Sequence, residues 1–169
     1  MKWTRQGRHH VMLAVSVASA ALLVSLAACA RSPASPTVSS DPKDAPDSVR
    51  VAGKTVTLKA SLTRDFMPIA PIDGRPLMAV LTVTTVDQTP FPAGVTADRA
   101  WVFYAGLTWE TTVAQEGQRP ADAPSLEVVA RDGPKWGPQA EVDVVVRLWD
   151  SRGHEYLVQA KRQTIKATF

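Results

Sequence analysis

The chain has 169 residues, of which 19 are basic and 16 acidic, and its single cysteine excludes an internal disulfide. It contains no asparagine, which excludes N-linked glycosylation. Three histidines are present, and two of them, His9 and His10, lie in the first ten residues.

The chain begins with a basic head containing Lys2, Arg5 and Arg8, followed by an apolar run over residues 11–28. That run approaches the roughly 20 residues that a membrane-spanning helix needs, so an uncleaved anchor is one interpretation. Its short length and its small residues before the end are more typical of a cleaved secretory leader. The run closes with Leu26, Ala27, Ala28 and Cys29.

This Leu-Ala-Ala-Cys sequence resembles the lipobox of bacterial lipoproteins. The resemblance implies that Cys29 receives a diacylglyceryl group and that residues 1–28, a lipoprotein signal peptide, are removed. Two acyl chains hold a protein stably on a membrane, whereas one chain does not. We therefore expect a lipid-anchored protein on the extracytoplasmic side of the cell envelope. In the same family, Asp after the cysteine retains the protein at the inner membrane, and Ala30 in that position implies the outer membrane if the host is Gram-negative.

Removal of the leader changes the charge balance. Lys2, Arg5 and Arg8 leave with it, and the remaining chain has equal numbers of basic and acidic residues. A neutral chain offers no basic surface for nucleic acid, so no nucleic-acid partner is expected.

Composition divides the remaining chain into two parts. Residues 29–48 are rich in Pro, Ser and Asp and predict a flexible linker after the lipidated cysteine. Residues 49–169 have the length of one domain with a single core.

Alternating apolar and polar residues predict strands along that domain. We expect them near residues 55–62, 77–86, 99–104, 107–113, 126–131, 141–148, 154–161 and 164–168. Turn residues separate them, including a chain reversal at Ala105-Gly106. The pattern predicts an all-β fold, a single Ig-like antiparallel β-sandwich of about seven strands, with Trp109 or Trp101 between the sheets, and a small β-barrel as the alternative. The sequence from Tyr156 to Ala160, Tyr-Leu-Val-Gln-Ala, is similar to a late strand of fibronectin type III domains.

Catalytic motifs are absent from the sequence after the leader. His154 is its one histidine, so neither a Cys/His nucleophile pair nor a zinc cluster of His and Cys ligands can form within one subunit. No nucleotide-binding or serine-hydrolase motif occurs. We expect no cofactor, no metal and no enzymatic activity. Paired carboxylates keep one alternative open, an enzyme that acts on glycan, although no pair is singled out and Glu110 is better explained as an outward strand residue.

Two loops carry apolar residues where polar ones are usual. Phe66, Met67 and Ile69 lie in the loop 63–76, and Trp136 lies in the loop 132–139. Exposed aromatic and Met side chains on loops are typical of binding surfaces, and the alternative is that these loops cover the core. If Ala105-Gly106 reverses the chain, strand alternation places both loops at one end of the sandwich, which we expect to be opposite the linker. If residues 99–113 are instead one long bent strand, Trp136 lies at the end near the linker.

These features favour a lipid-anchored binding or assembly module of the envelope without catalytic activity. The partner would be an envelope protein, a peptide or a glycan bound through loops 63–76 and 132–139. A purely structural envelope lipoprotein and the carboxylate-only enzyme acting on glycan are the alternatives.

Overall fold

The structure, a computed structural model, describes residues 41–169. The leader and Cys29 lie outside the described residues. One short turn of 3-10 helix, Pro42–Asp44, precedes eight strands. The strands are β1 (Ser48–Val51), β2 (Lys54–Asp65), β3 (Leu77–Thr85), β4 (Thr96–Tyr104), β5 (Leu107–Thr112), β6 (Ser125–Gly133), β7 (Glu141–Trp149) and β8 (Glu155–Thr168).

The strands form one curled mixed sheet in the order β5-β4-β7-β8-β2-β3-β6, with β1 paired to β2. The curl brings two halves face to face, a front half of β1, β2, β3 and β6 and a back half of β5, β4 and β7. The predicted all-β sandwich is thus confirmed. β1 was not predicted, because four residues carry too little alternation to stand out.

β8 joins the two halves. Its first part pairs antiparallel with β7, and its last part pairs parallel with β2, with Leu62 opposite Ile165. The sheet is therefore mixed, where the sequence predicted antiparallel strands alone. Within the part that pairs with β7, Arg162 takes a left-handed conformation at φ 53°, and its N–H donates to the Asp143 carboxylate at 2.8 Å. This bulge is the interruption that made one strand look like two in the sequence.

The core lies between the two halves and follows the period-two pattern. Even-numbered residues of β2 and odd-numbered residues of β3 point inward and meet alternate residues of β4, β6 and β7. The largest fully buried side chains include Leu62, Leu77, Leu81, Leu126, Leu148 and Ile165. Trp109 packs partly buried against this core, as the sequence predicted for one of two tryptophans, whereas Trp101 packs on the outer surface of the back half.

A two-residue hairpin joins β4 to β5. Ala105 and Gly106 both have positive φ, 46° and 82°, which is the geometry of a tight hairpin turn. The predicted reversal is confirmed. It fixes the direction of the later strands, so that the connections 66–76 and 134–140 and the 105–106 turn share one end of the sandwich, called the loop end below.

Candidate functional site

Arg64 organises the loop end. It follows Val56, Leu58, Ala60 and Leu62 on the inward side of β2, and it is only 3% exposed. Its guanidinium donates to four main-chain oxygens, those of Asp73, Arg75, Lys135 (3.2 Å) and Trp136 (3.2 Å). Planar guanidinium groups suit such forked bonding, and each bond to a charged donor is stronger than a neutral one. One side chain thereby holds both loops.

Ion pairs on the surface reinforce that connection. The Lys135 ammonium lies 2.6 Å from the Asp73 carboxylate, which joins the 134–140 loop to the 66–76 loop. This hydrogen bond, helped by the nearby charge of Arg64, lowers the pKa of Asp73. Within the first loop, Arg75 pairs with Asp65 at 3.3 Å. The two loops that the sequence placed at one end are therefore in direct contact.

Phe66 and Trp136, two of the predicted binding residues, are both partly buried. The Phe66 ring lies over Gly74, where a Cβ atom would come within 2.6 Å of it, and it stacks on Phe169 at 5.9 Å between centroids. Trp136 is partly buried against the core and its ring is 5.3 Å from that of Tyr104. Trp136 therefore packs on the core, whereas Phe66 packs within its own loop and on Phe169.

Met67 and Ile69, the other two, point into solvent. Two consecutive turns shape their loop, closed by hydrogen bonds from Ala70 N–H to the Met67 oxygen and from Gly74 N–H to the Pro71 oxygen. Ile69 and Ile72 stand at the corners of these turns and are almost fully exposed, and Met67 is 47% exposed. Turn corners are ordinarily polar, so exposed isoleucines there are unusual.

A cleft of about 500 Å³ opens beside this loop, on the outer side of the front half. Its lining residues are Thr63, Asp65, Met67, Arg75, Pro76, Leu77, Met78, Arg131, Asp132 and Thr168. The lining combines apolar side chains with four charged ones, a combination that is common in binding clefts.

Three carboxylates outside the loops have basic partners. Glu110 forms an ion pair with Arg99 across the β4–β5 pair, and Asp98 receives the Arg147 guanidinium, with Nε at 2.9 Å. The hydrogen bond from Arg147 lowers the pKa of Asp98. His154 bonds Asp150 in the turn before β8, a capping role. In residues 41–169, no group of three potential metal ligands comes together.

Sequence reasoning missed an aromatic surface on the back half. The Arg147 guanidinium lies 5.2 Å from the ring of Trp149 and 5.9 Å from that of Trp101, both cation-π distances. The alternation of residues along β4 and β7 places Trp101, Phe103 and Arg147 on the outward face. Their contact could not be predicted, because β4 and β7 are far apart in sequence.

The sequence also misplaced the loop end relative to the linker. Residues 42–46, called the strap below, lie on the back half, with Ala45 1% exposed against Val145 and Leu157. Lys43 borders the 105–106 turn and Arg162. The described chain thus begins near the loop end, whereas the sequence placed the linker at the opposite end. The error arose because β1, which runs away from the loop end, was not predicted.

No protein-family model and no curated protein sequence matches the chain. Between residues 41 and 169, no helix has the length and apolar character needed to cross a bilayer.

Proposed function

We propose that this chain is a lipid-anchored, non-catalytic binding or assembly module of the bacterial cell envelope, with the loop end as its binding surface. The anchor is a diacylglyceryl group on Cys29, after removal of residues 1–28. Ala30 directs the protein to the outer membrane in a Gram-negative host. The partner is an envelope protein, a peptide or a glycan.

One observation carries the binding proposal, namely exposed apolar side chains on a loop that a buried arginine holds in place. Met67 and Ile69 are presented by a segment whose main-chain oxygens are tied to Arg64. A surface held in one conformation loses less conformational entropy when it binds than a mobile loop does. The neighbouring cleft gives such a partner a concave site lined by both apolar and charged side chains.

The ionisable groups favour binding over catalysis. The aspartates with a shifted pKa, Asp73, Asp87, Asp98 and Asp150, are all shifted downward by hydrogen bonds. A general acid for glycan hydrolysis needs a raised pKa, which burial away from cations would supply. These four aspartates are therefore unsuited to the role of general acid.

Photo-crosslinking tests the binding proposal. A benzophenone amino acid is placed at Met67 in the full chain in cells, with the same group at Ser151, in the turn at the opposite end, as the control. We expect a discrete adduct from position 67 that position 151 does not give, and loss of that adduct in an Ile69→Gln, Ile72→Gln background of unchanged Tm. A purely structural spacer predicts the same adducts, or none, at both positions, and that result would refute the proposal.

A further inference from the structure

The strap determines where the chain leaves the folded body. Ala45 is buried beneath the aromatic surface of the back half. Its carbonyl oxygen accepts from the side-chain amide of Gln159, itself only 6% exposed, and the Gln159 N–H donates to the Pro46 oxygen at 3.0 Å. Because both polar groups of this buried contact are satisfied, the strap is part of the fold.

From Ala45 the chain runs backward toward the loop end. The Lys43 ammonium lies 5.5 Å from the centre of the Phe103 ring, near the end of β4. Lys43 also borders the cleft formed by the 105–106 turn, the start of β7 and Arg162. The described chain therefore begins at the same end of the sandwich as the 66–76 and 134–140 loops.

The number of residues between Cys29 and the first described residue limits the distance between them. Residues 30–40 span at most about 40 Å when fully extended. The two ends of the sandwich are about 30 Å apart, the length of a nine-residue strand such as β7.

The side chains at the loop end suit a lipid surface. Ile69 is 83% exposed and Ile72 is wholly exposed, each at a turn corner, and Phe169 is 88% exposed. The nearby cations Arg75 and Lys135 are paired with Asp65 and Asp73, so neither adds net positive charge beside the isoleucines. Contact with a bilayer would depend on apolar burial.

We propose that the loop end faces the membrane that holds the anchor, and that Ile69 and Ile72 enter the boundary between headgroups and acyl chains. This inference rests on the proposed lipid anchor at Cys29. In this orientation Ile69 and Ile72 contact lipid, and the partner, a component found at the bilayer surface, contacts Met67 and the cleft beside it. Free energy gained by burying the two isoleucines fixes the orientation of the body, while the acyl chains supply the attachment.

Fluorescence quenching by lipid nitroxides tests this orientation. The full lipidated chain carries Ile72→Cys or, as control, Ser151→Cys, and is labelled with a small fluorophore in purified vesicles of phosphatidylethanolamine and phosphatidylglycerol. Lipidation of Cys29 leaves the introduced cysteine as the only free thiol. Both positions are exposed, so neither variant disturbs the core.

We expect acyl-chain nitroxides to quench the label at 72 at least about twofold more than the label at 151, with little change in about 0.5 M salt, because the contact is apolar. Equal quenching at the two positions in a chain that mass spectrometry shows to be lipidated would overturn the orientation and leave the anchor intact. A chain without the diacylglyceryl adduct would overturn both proposals. Strong quenching at 72 that salt abolishes would overturn the apolar mode of contact.

Discussion

The Arg64 guanidinium donates to the main-chain oxygen of Trp136 at 3.2 Å, across 72 positions of sequence. This bond joins the end of β2 to the connection before β7, and the same side chain bonds the oxygens of Asp73 and Arg75 in the other loop. A buried cation whose hydrogen-bond acceptors are main-chain carbonyls is costly to desolvate unless every bond is made. The two loops therefore depend on one residue for their common arrangement.

Replacing Arg64 with Met should destabilise the whole protein. The substitution leaves four main-chain oxygens without their donor, and we expect the free energy of unfolding to fall by about 3 kcal/mol. Urea unfolding followed by tryptophan fluorescence measures the change. Arg64→Lys should recover little of it, because an ammonium cannot reproduce the forked geometry.

Arg131→Met is the matched control, since Arg131 is exposed and pairs with Glu116 on the surface. Such a pair contributes at most about 1 kcal/mol. An Arg64→Met protein as stable as the Arg131→Met protein would show that Arg64 does not hold the loops.

Gly133 should tolerate no side chain. A Cβ atom there would lie 2.7 Å from the six-membered ring of Trp109 and 2.9 Å from the Leu77 Cβ. Gly133→Ala should lower the free energy of unfolding by about 2 kcal/mol through overpacking. In a Trp109→Phe background the penalty should shrink, because the smaller ring lacks the clashing atoms.

Gly137 is the control position for this pair of substitutions, Gly133→Ala and Trp109→Phe. Nothing lies within 4 Å of a Cβ built on Gly137, so Gly137→Ala should leave stability nearly unchanged. Equal effects of the two substitutions, or no coupling between positions 133 and 109, would contradict the packing described.

The strap should detach when Ala45 becomes charged. Ala45→Glu would bury a carboxylate against Val145 and Leu157, so the strap should leave the sheet while the rest of the fold persists. Hydrogen exchange should show lost protection over residues 42–47 and at the Gln159 amide, whose acceptor is the Pro46 oxygen. Ala93→Glu, at an exposed position, should leave protection at both places unchanged. Retained protection at Gln159 in the Ala45→Glu variant would show that the strap does not depend on burial of Ala45.

Asp150 should make stability depend on pH under acidic conditions. Hydrogen bonds from the N–H and ring of His154, the N–H of Arg152 and the hydroxyl of Tyr156 hold the pKa of Asp150 well below its usual range. Because the folded pKa is depressed, this stabilisation is fully present above the unfolded value of about 3.9 and is lost as the pH falls below it. The Tm difference between the native chain and Asp150→Asn should therefore be largest near about pH 7 and narrow toward about pH 2. A difference that stays constant over this range would contradict the proposed role of the carboxylate.

Most strands and turns could be predicted from the sequence. Burial of one face of a strand gives the residues a period of two, and this period can be recognised without knowing which strands are neighbours. The contact between the two loops followed from strand direction alone. Arg64 could have been found by the same rule, since it continues the inward positions of Val56 to Leu62 on β2. Three contacts could not be predicted, because they join segments that are remote in sequence and no local pattern encodes them. These are the bonds from Arg64 to main-chain oxygens, the packing of Ala45 on the sheet and the packing of Trp109 on Gly133.

Hydrogen exchange of the lipidated chain on vesicles tests the central claim, that the loop end is the contact surface of the anchored protein. The native chain is compared with an Ile69→Gln, Ile72→Gln variant on the same vesicles, after correction for intrinsic rates. We predict slower exchange over residues 66–74 in the native chain and identical exchange over the 150–154 turn at the other end. Equal exchange over residues 66–74 in the two proteins would contradict the account.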